Sequence, residues 1–165
     1  MYDSAVLIAL GSNLAGGFGS SKALLTAALE GFGPAGLQVI ERSSWWRSAS
    51  WPDPAMPDYL NAIVIVETPL TPAEVLRALQ GVEARFGRTR AAANAPRTLD
   101  LDLIAHGRTI LTLGDLILPH PRAAERRFVM GPLAQIAPDW VHPVLGESAA
   151  ALAAKASVGA DARAI

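Results

Sequence analysis

The sequence predicts an α+β sandwich, a mixed or antiparallel sheet packed against helices. Segments with two-residue alternation and segments with helical spacing follow one another without a repeated βαβ period, and no internal repeat is present. Residues 59–67 alternate strictly, with Leu60, Ala62, Val64 and Val66 on one face and Tyr59, Asn61, Ile63 and Ile65 on the other. Residues 72–86 place Val75, Leu76, Leu79, Val82 and Phe86 on one helical stripe. With 165 residues, 51% hydrophobic and 18% charged, the chain is expected to form one domain over 1–165 with a substantial core.

The elements follow in order. Ala5 to Leu10 is an apolar run expected to form a buried strand. Gly11-Ser12-Asn13-Leu14 turns the chain, and Gly16, Gly17 and Gly19 form a connection. Leu24, Leu25, Ala28, Leu29 and Phe32 stand at helical spacing, with Gly31 and Gly33 ending that helix. Leu37 to Trp46 contains a second strand, with Val39, Glu41, Ser43 and Trp45 on one face. Pro52, Pro54 and Pro57 make 48–58 a loop, and the strand 59–67 follows. Thr71-Pro72-Ala73-Glu74 reads as a capping box with proline at the first helical position, opening a helix that Gly87 stops near Phe86. A loop over 88–96 leads into a strand around Leu99–Leu103, a turn near Gly107 and a short strand over 109–112. Phe128 to Ile136 is expected to be a short helix limited by Pro132 and Pro138. An alanine-rich helix covers 147–156, and residues 157–165 are expected to fray.

Composition excludes several functions. The chain has no cysteine, so disulfides, thiol catalysis and zinc–thiolate sites are ruled out. A net charge of −1 gives no general electrostatic reason to expect nucleic-acid binding. No apolar run approaches a membrane span, and Met1-Tyr2-Asp3-Ser4 opens no secretion signal, so a cytoplasmic protein without membrane contact is expected.

Pro96-Arg97-Thr98-Leu99-Asp100-Leu101-Asp102-Leu103 is the most informative stretch. On a strand, Leu99, Leu101 and Leu103 share one face, and Asp100 and Asp102 share the other, roughly 7 Å apart. That spacing lets both carboxylates reach a shared divalent metal or two neighbouring ones, and oxygen donors of this kind suit Mg²⁺ with a polyphosphate. Taken alone, the pair fits a polar-faced edge strand better; its neighbours shift the balance. Glu83 falls between Leu76 and Leu79 on the apolar stripe of 72–86 and therefore faces the protein. Burying it costs several kcal/mol unless it is paired, either with a core-edge arginine or with a ligand's donors. Gln80 borders the same stripe. Arg88, Arg90 and Arg97 precede the aspartates, and Arg122, Arg126 and Arg127 follow, which favours an anionic ligand. His120 sits between Pro119 and Pro121, ahead of those arginines, where it would donate to a phosphate. Asn61 offers donor and acceptor together, and Tyr59 on the same face offers a stacking surface for a heterocycle. The glycines after the first strand match no phosphate-loop spacing, because Gly16 is followed by Gly17 and Phe18.

These features in this order resemble the 6-hydroxymethyl-7,8-dihydropterin pyrophosphokinase family of the folate pathway. The matching segments are Ala9–Leu14, Pro57–Ala62, Glu83 through Arg88, Pro96–Asp102, and Pro119–Arg122 through Arg126 and Phe128. The resemblance covers roughly residues 5–145 and implies a ferredoxin-like sandwich, an antiparallel sheet between helical layers, and a monomer. It implies transfer of the β,γ-pyrophosphoryl unit of ATP to the pterin's hydroxymethyl oxygen, giving AMP. Asp100 and Asp102 would hold two Mg²⁺ ions. Asn61 would bond the pterin edge, Tyr59 and Phe128 would stack on its faces, and backbone groups of Ser48, Ala49 and Trp51 would complete the pocket. Gln80, Glu83, Arg88, Arg90, Arg97, His120 and Arg126 match ATP-contacting positions, with Arg88 and Arg90 also supplying charge during transfer. The sequence departs from the family over Ala91–Ala95, which lacks the usual basic residues and Trp-Gly. The expectation there is a loop over 88–95 that closes when both substrates are bound. The alternatives are another Mg²⁺-dependent nucleotidyl or phosphoryl transferase, a nuclease, and a ferredoxin-like binding domain without catalysis.

Overall fold

The computed structural model describes residues 2–13, 18–49, 57–86 and 99–165. Strands β1 (Val6–Ser12), β2 (Gln38–Arg42), β3 (Trp46–Ser48), β4 (Tyr59–Glu67), β5 (Asp100–His106) and β8 (Arg163–Ala164) form one sheet. Its order is β5-β1-β4-β3-β8, with β2 beside β3 along the same edge of β4. Every strand pairing in it is antiparallel. Helices α1 (Ser21–Glu30) and α2 (Pro72–Phe86) separate the strands into a βαββαβ order, which is the ferredoxin-like arrangement. The strands β6 (Leu111–Leu113) and β7 (Leu116–Leu118) form a separate hairpin, followed by α3 (Arg127–Ile136) and α4 (Ala149–Lys155).

Alternation along the strands divides the core in two. Val6, Ile8 and Leu10, Leu60, Val64 and Val66, and Leu101 and Leu103 pack under α1 and α2. Leu7, Ile63, Ile65 and Ile104 face the other way, against Val129, Met130 and Leu133 of α3 and Leu152 of α4. Helices α1 and α2 start as their sequence directs. Ser20 caps α1 by accepting from Ala23 N at 3.1 Å. Glu74 accepts from Thr71 N at 3.0 Å while Thr71 Oγ1 accepts from Glu74 N at 3.3 Å, so the capping box forms in both directions. Those bonds from Thr71, backbone first and hydroxyl second, hold the Glu74 carboxyl below its ordinary pKa.

Three segments depart from expectation. The strand predicted within Leu37–Trp46 is two strands. At the break, Ser43 N donates to Ile63 O at 2.9 Å and Ser43 Oγ accepts from Ile63 N at 3.0 Å, so a side chain replaces one rung of the ladder. Pro132 lies inside α3 and does not limit it, and α3 is tied to the sheet by Gln135, whose Oε1 accepts from Ser44 N at 3.0 Å and Trp46 Nε1 at 3.2 Å. Residues 157–165 are not frayed. β8 pairs with β3, Arg127 N donates to Val158 O at 2.8 Å, and Arg127 Nε donates to Ala162 O at 3.2 Å.

Candidate active site

A cleft of about 1150 Å³ opens on the α3 side of the sheet, at the end where α3 begins. Its floor is set by strand register. Gly11 stands opposite both Asn61 of β4 and Asp100 of β5, and Ala9 stands opposite Asp102. Tyr59, Asn61, Asp100 and Asp102 therefore share one face and one cleft, although they come from strands on either side of β1. A Cβ on Gly11 would lie 3.0 Å from Asn61 Oδ1, so only glycine leaves the amide its present room. Asn61 is buried and donates from Nδ2 to Ser48 Oγ at 3.2 Å. Ser48 and Ala49 at the end of β3 form the adjoining wall.

The opposite wall comes from the start of α3. Arg126 and Phe128 line it, with the Arg126 guanidinium carbon 5.7 Å from the centroid of the Phe128 ring. Burial, and then the Asp100 charge, raise the Tyr59 pKa above its ordinary value, so this ring is a neutral phenol near neutral pH. His120 donates its backbone N–H to Ile104 O at 2.9 Å, and its Nδ1 accepts from Arg122 N at 3.2 Å. Burial lowers its pKa; Asp102 opposes this, and Arg126 and Arg122 add to it. With Nδ1 accepting, the neutral imidazole carries its proton on Nε2, a donor beside the acidic strand. The donor set of Asp100 and Asp102 fits hard cations that take oxygen ligands, Mg²⁺ among them. Among the described residues no three His, Cys, Asp or Glu side chains gather into a metal cage, and Mg²⁺ with substrate phosphates needs only one or two carboxylates.

Residues 7–138 match the family model described as 7,8-dihydro-6-hydroxymethylpterin-pyrophosphokinase (HPPK). The chain belongs to the HPPK family. A 2-amino-4-hydroxy-6-hydroxymethyldihydropteridine pyrophosphokinase from Synechocystis is 46% identical over 114 residues, covering 69% of this chain and 58% of the relative. A protein of the same name from Methylorubrum extorquens is 38% identical over 135 residues, covering 81% of this chain and 83% of the relative. The Plasmodium falciparum HPPK-DHPS crystal structure superposes with a TM-score of 0.69 at 12% identity, over 92% of this chain and 44% of that one. At that identity it speaks for the fold alone. The chain thus matches less than two thirds of the Synechocystis and Plasmodium proteins.

Of the residues expected from the HPPK resemblance, the cleft collects Ser48, Ala49, Tyr59 and Asn61 from one side and Asp100, Asp102, Arg126 and Phe128 from the other. Gln80 is exposed on α2, and Glu83 is buried behind β5; neither lines the cleft. Glu83 Oε2 accepts from Leu101 N at 3.1 Å, so it meets an outward N–H of the sheet's edge strand, between the two aspartates. The strand edge is a partner that the helical stripe of 72–86 does not reveal, and it leaves the expected arginine or ligand partner open. Trp51, Arg88, Arg90, Arg97 and the loop over 88–95 lie outside the described residues. Glu125 and the segment Ser157–Asp161 also line the cleft. Their small and mixed side chains carried no periodic signal in the sequence.

Proposed function

We propose that the chain transfers pyrophosphate from ATP to the hydroxymethyl group of 6-hydroxymethyl-7,8-dihydropterin in tetrahydrofolate biosynthesis, releasing AMP. The supporting observation is one cleft that joins two same-face aspartates to a buried amide and two aromatic rings, in a chain of the HPPK family. The hydroxymethyl oxygen attacks the β-phosphorus, the bond from that phosphorus to the α–β bridging oxygen breaks, and the hydroxyl proton is lost. Asp100 and Asp102 would hold Mg²⁺, two ions on this reading. When bound, the metal neutralises triphosphate charge.

The protein's own residues position and screen. Asn61 meets the polar edge of the pterin, with Ser48 Oγ fixing its amide. Tyr59 and Phe128 stack against the pterin's faces. Arg126 and His120 offer donors to phosphate oxygens, while Gln80 and Glu83 belong to the ATP half together with Arg88, Arg90 and Arg97. Backbone groups of Ser48, Ala49 and Trp51 close the pterin half. The catalytic gain comes from alignment and charge neutralisation. No helix of the described residues is long and apolar enough to cross a membrane. The proposed enzyme is cytoplasmic and monomeric, with 1–165 as one pyrophosphokinase domain.

The deciding experiment is AMP release from ATP and Mg²⁺ with and without the reduced hydroxymethylpterin. Pterin-dependent AMP formation is expected. ATP cleavage to ADP, nucleotide transfer, or pterin binding without turnover would each replace this reading with one of its alternatives.

A further inference from the structure

The last nine residues hold both walls of the pterin half. The chain leaves α4 and runs back across the cleft. Val158 N donates to Glu125 O at 2.9 Å and Val158 O accepts from Arg127 N at 2.8 Å, a parallel bridge at the start of α3. Gly159 follows with φ +68, and a Cβ there would lie 2.6 Å from Phe128 Cδ1. Its bare backbone therefore packs directly on the ring of the proposed stacking residue. Two residues on, Asp161 Oδ2 accepts from Ala49 N at 2.8 Å. Ala162 is buried, and β8 then pairs Arg163 and Ala164 with Arg47 and Trp46. Ile165 N closes the run on Trp45 O at 3.0 Å.

The bond from Asp161 reaches further than Ala49. Ala49 follows Ser48, and Ser48 Oγ is the acceptor for the Asn61 amide. A continuous path thus joins Asp161, the 48–49 peptide, Ser48 and Asn61. The Ala49 N–H is committed to the tail, so the pterin-facing groups of this wall are its other backbone atoms.

We propose that residues 157–165 are a strap that sets the pterin subsite, and that Asp161 is its positioning residue, acting on Asn61 through Ala49 and Ser48. The proposal rests on the pyrophosphokinase reading above. Asp161 touches no reacting atom. Its carboxylate orders the backbone by a charge-assisted hydrogen bond, while Gly159 fixes the opposite ring. The strap also meets the ATP side, through the bridge of Val158 to Arg126, whereas Asp161 bonds on the pterin side, at Ala49.

The test compares wild type with Asp161→Ala and Asp161→Asn, the second of which keeps an acceptor oxygen. For Asp161→Ala, KM for the pterin is expected to rise roughly three- to tenfold, the range of one lost hydrogen bond, with KM for ATP within about twofold. Asp161→Asn is expected to restore most of that change. Amide exchange at Ala49, read by NMR without substrates, is expected to accelerate in Asp161→Ala and to recover in Asp161→Asn. Equal changes in both KM values, no change in either, or no rescue by asparagine overturns the strap. So does Ala49 exchange in wild type as fast as in Asp161→Ala. A wild-type chain that makes no pterin-dependent AMP overturns the functional reading itself, an outcome read separately from the variants.

Discussion

The two faces of the sheet are built from the same strands and end differently. On the α1–α2 face, Val6, Ile8, Leu10, Leu60, Val64, Val66, Leu101 and Leu103 stay apolar up to the end of the sheet that carries the site, where Ser12 closes β1. On the α3–α4 face the same strands are apolar only part of the way. Leu7, Ile63, Ile65 and Ile104 lie under α3 and α4, and then Gly11, Asn61, Tyr59, Asp100 and Asp102 continue the face beyond that cover. The site is a face left open at one end. Rigidity comes from the closed face, because the residues between the site residues are core residues of the other side. Leu101, fully packed, lies between the two aspartates. A carboxylate pair mounted this way keeps its spacing without a dedicated scaffold.

The sharpest way to break the comparison is to exchange what each face loses. Asp100→Ala or Asp102→Ala is expected to abolish AMP release while leaving the thermal midpoint unchanged or slightly raised, since a like-charge pair is relieved. Retention of more than about a tenth of wild-type turnover, a loss under roughly 1.4 kcal/mol, would remove the metal-binding assignment. Leu79→Ala, on the closed face at 0% exposure, is expected to do the opposite. It should cost about 2–5 kcal/mol of stability by denaturant titration and leave both KM values of the folded fraction unchanged. A Leu79→Ala chain with normal stability and altered KM would show that the two faces are not separable.

A smaller effect is expected at the boundary between the covered and open ends. Asn61→Ala leaves polar ligand groups unpaired in a buried place, at about 1–3 kcal/mol of pterin binding, with ATP binding spared. Gly11→Ala should mimic it in part, because its new methyl would meet Asn61 Oδ1 at 3.0 Å and displace the amide. Calorimetry with the pterin and, separately, a non-hydrolysable ATP analogue distinguishes the cases. Equal weakening of both ligands would mark Asn61 as structural.

The closed face was largely legible in the sequence, and the open end only in part. Residues 59–67 and 72–86 are found where periodicity placed them, because long amphipathic segments announce both their type and their buried side. Asp100 and Asp102 were legible for the same reason, as the polar half of an alternating strand. The break at Ser43 was hidden, since it depends on a hydroxyl replacing one ladder bond with β4. The strap was hidden more deeply. Ser157–Ile165 has no period, and β8 is two residues long. Its place is decided by distant partners, namely Arg127, Trp45 and Ala49. Glu83 was correctly expected to be buried, but its bond to Leu101 N requires knowing which strand lies at the sheet edge.

The smallest expected effect belongs to the covered end of the second face, where a titratable group is held inside. His142 is buried beside Trp140, with ring centroids 5.8 Å apart. Its Nδ1 accepts from Val144 N at 3.1 Å and Leu145 N at 3.0 Å, so the neutral ring closes the turn after Trp140. Burial lowers its pKa, the Arg108 guanidinium lowers it further, and Glu147 opposes both. A histidine with a depressed folded pKa stays neutral while its unfolded counterpart takes up a proton. The unfolded state then binds more protons, and stability must fall as pH drops below the ordinary histidine value of about 6.5 toward the folded pKa. His120, also lowered, adds to the same slope from the open end. Replacing the ring by an amide separates the two contributions. In His142→Asn, an oxygen that does not titrate here can still accept the turn's N–H groups, so the fall in stability between about pH 7 and pH 5 should become shallower. Denaturant titrations of wild type and variant across that range read the difference. If the two pH profiles run parallel, His142 does not couple this turn to protonation, and the acid sensitivity of the chain lies at His120 or among its carboxylates.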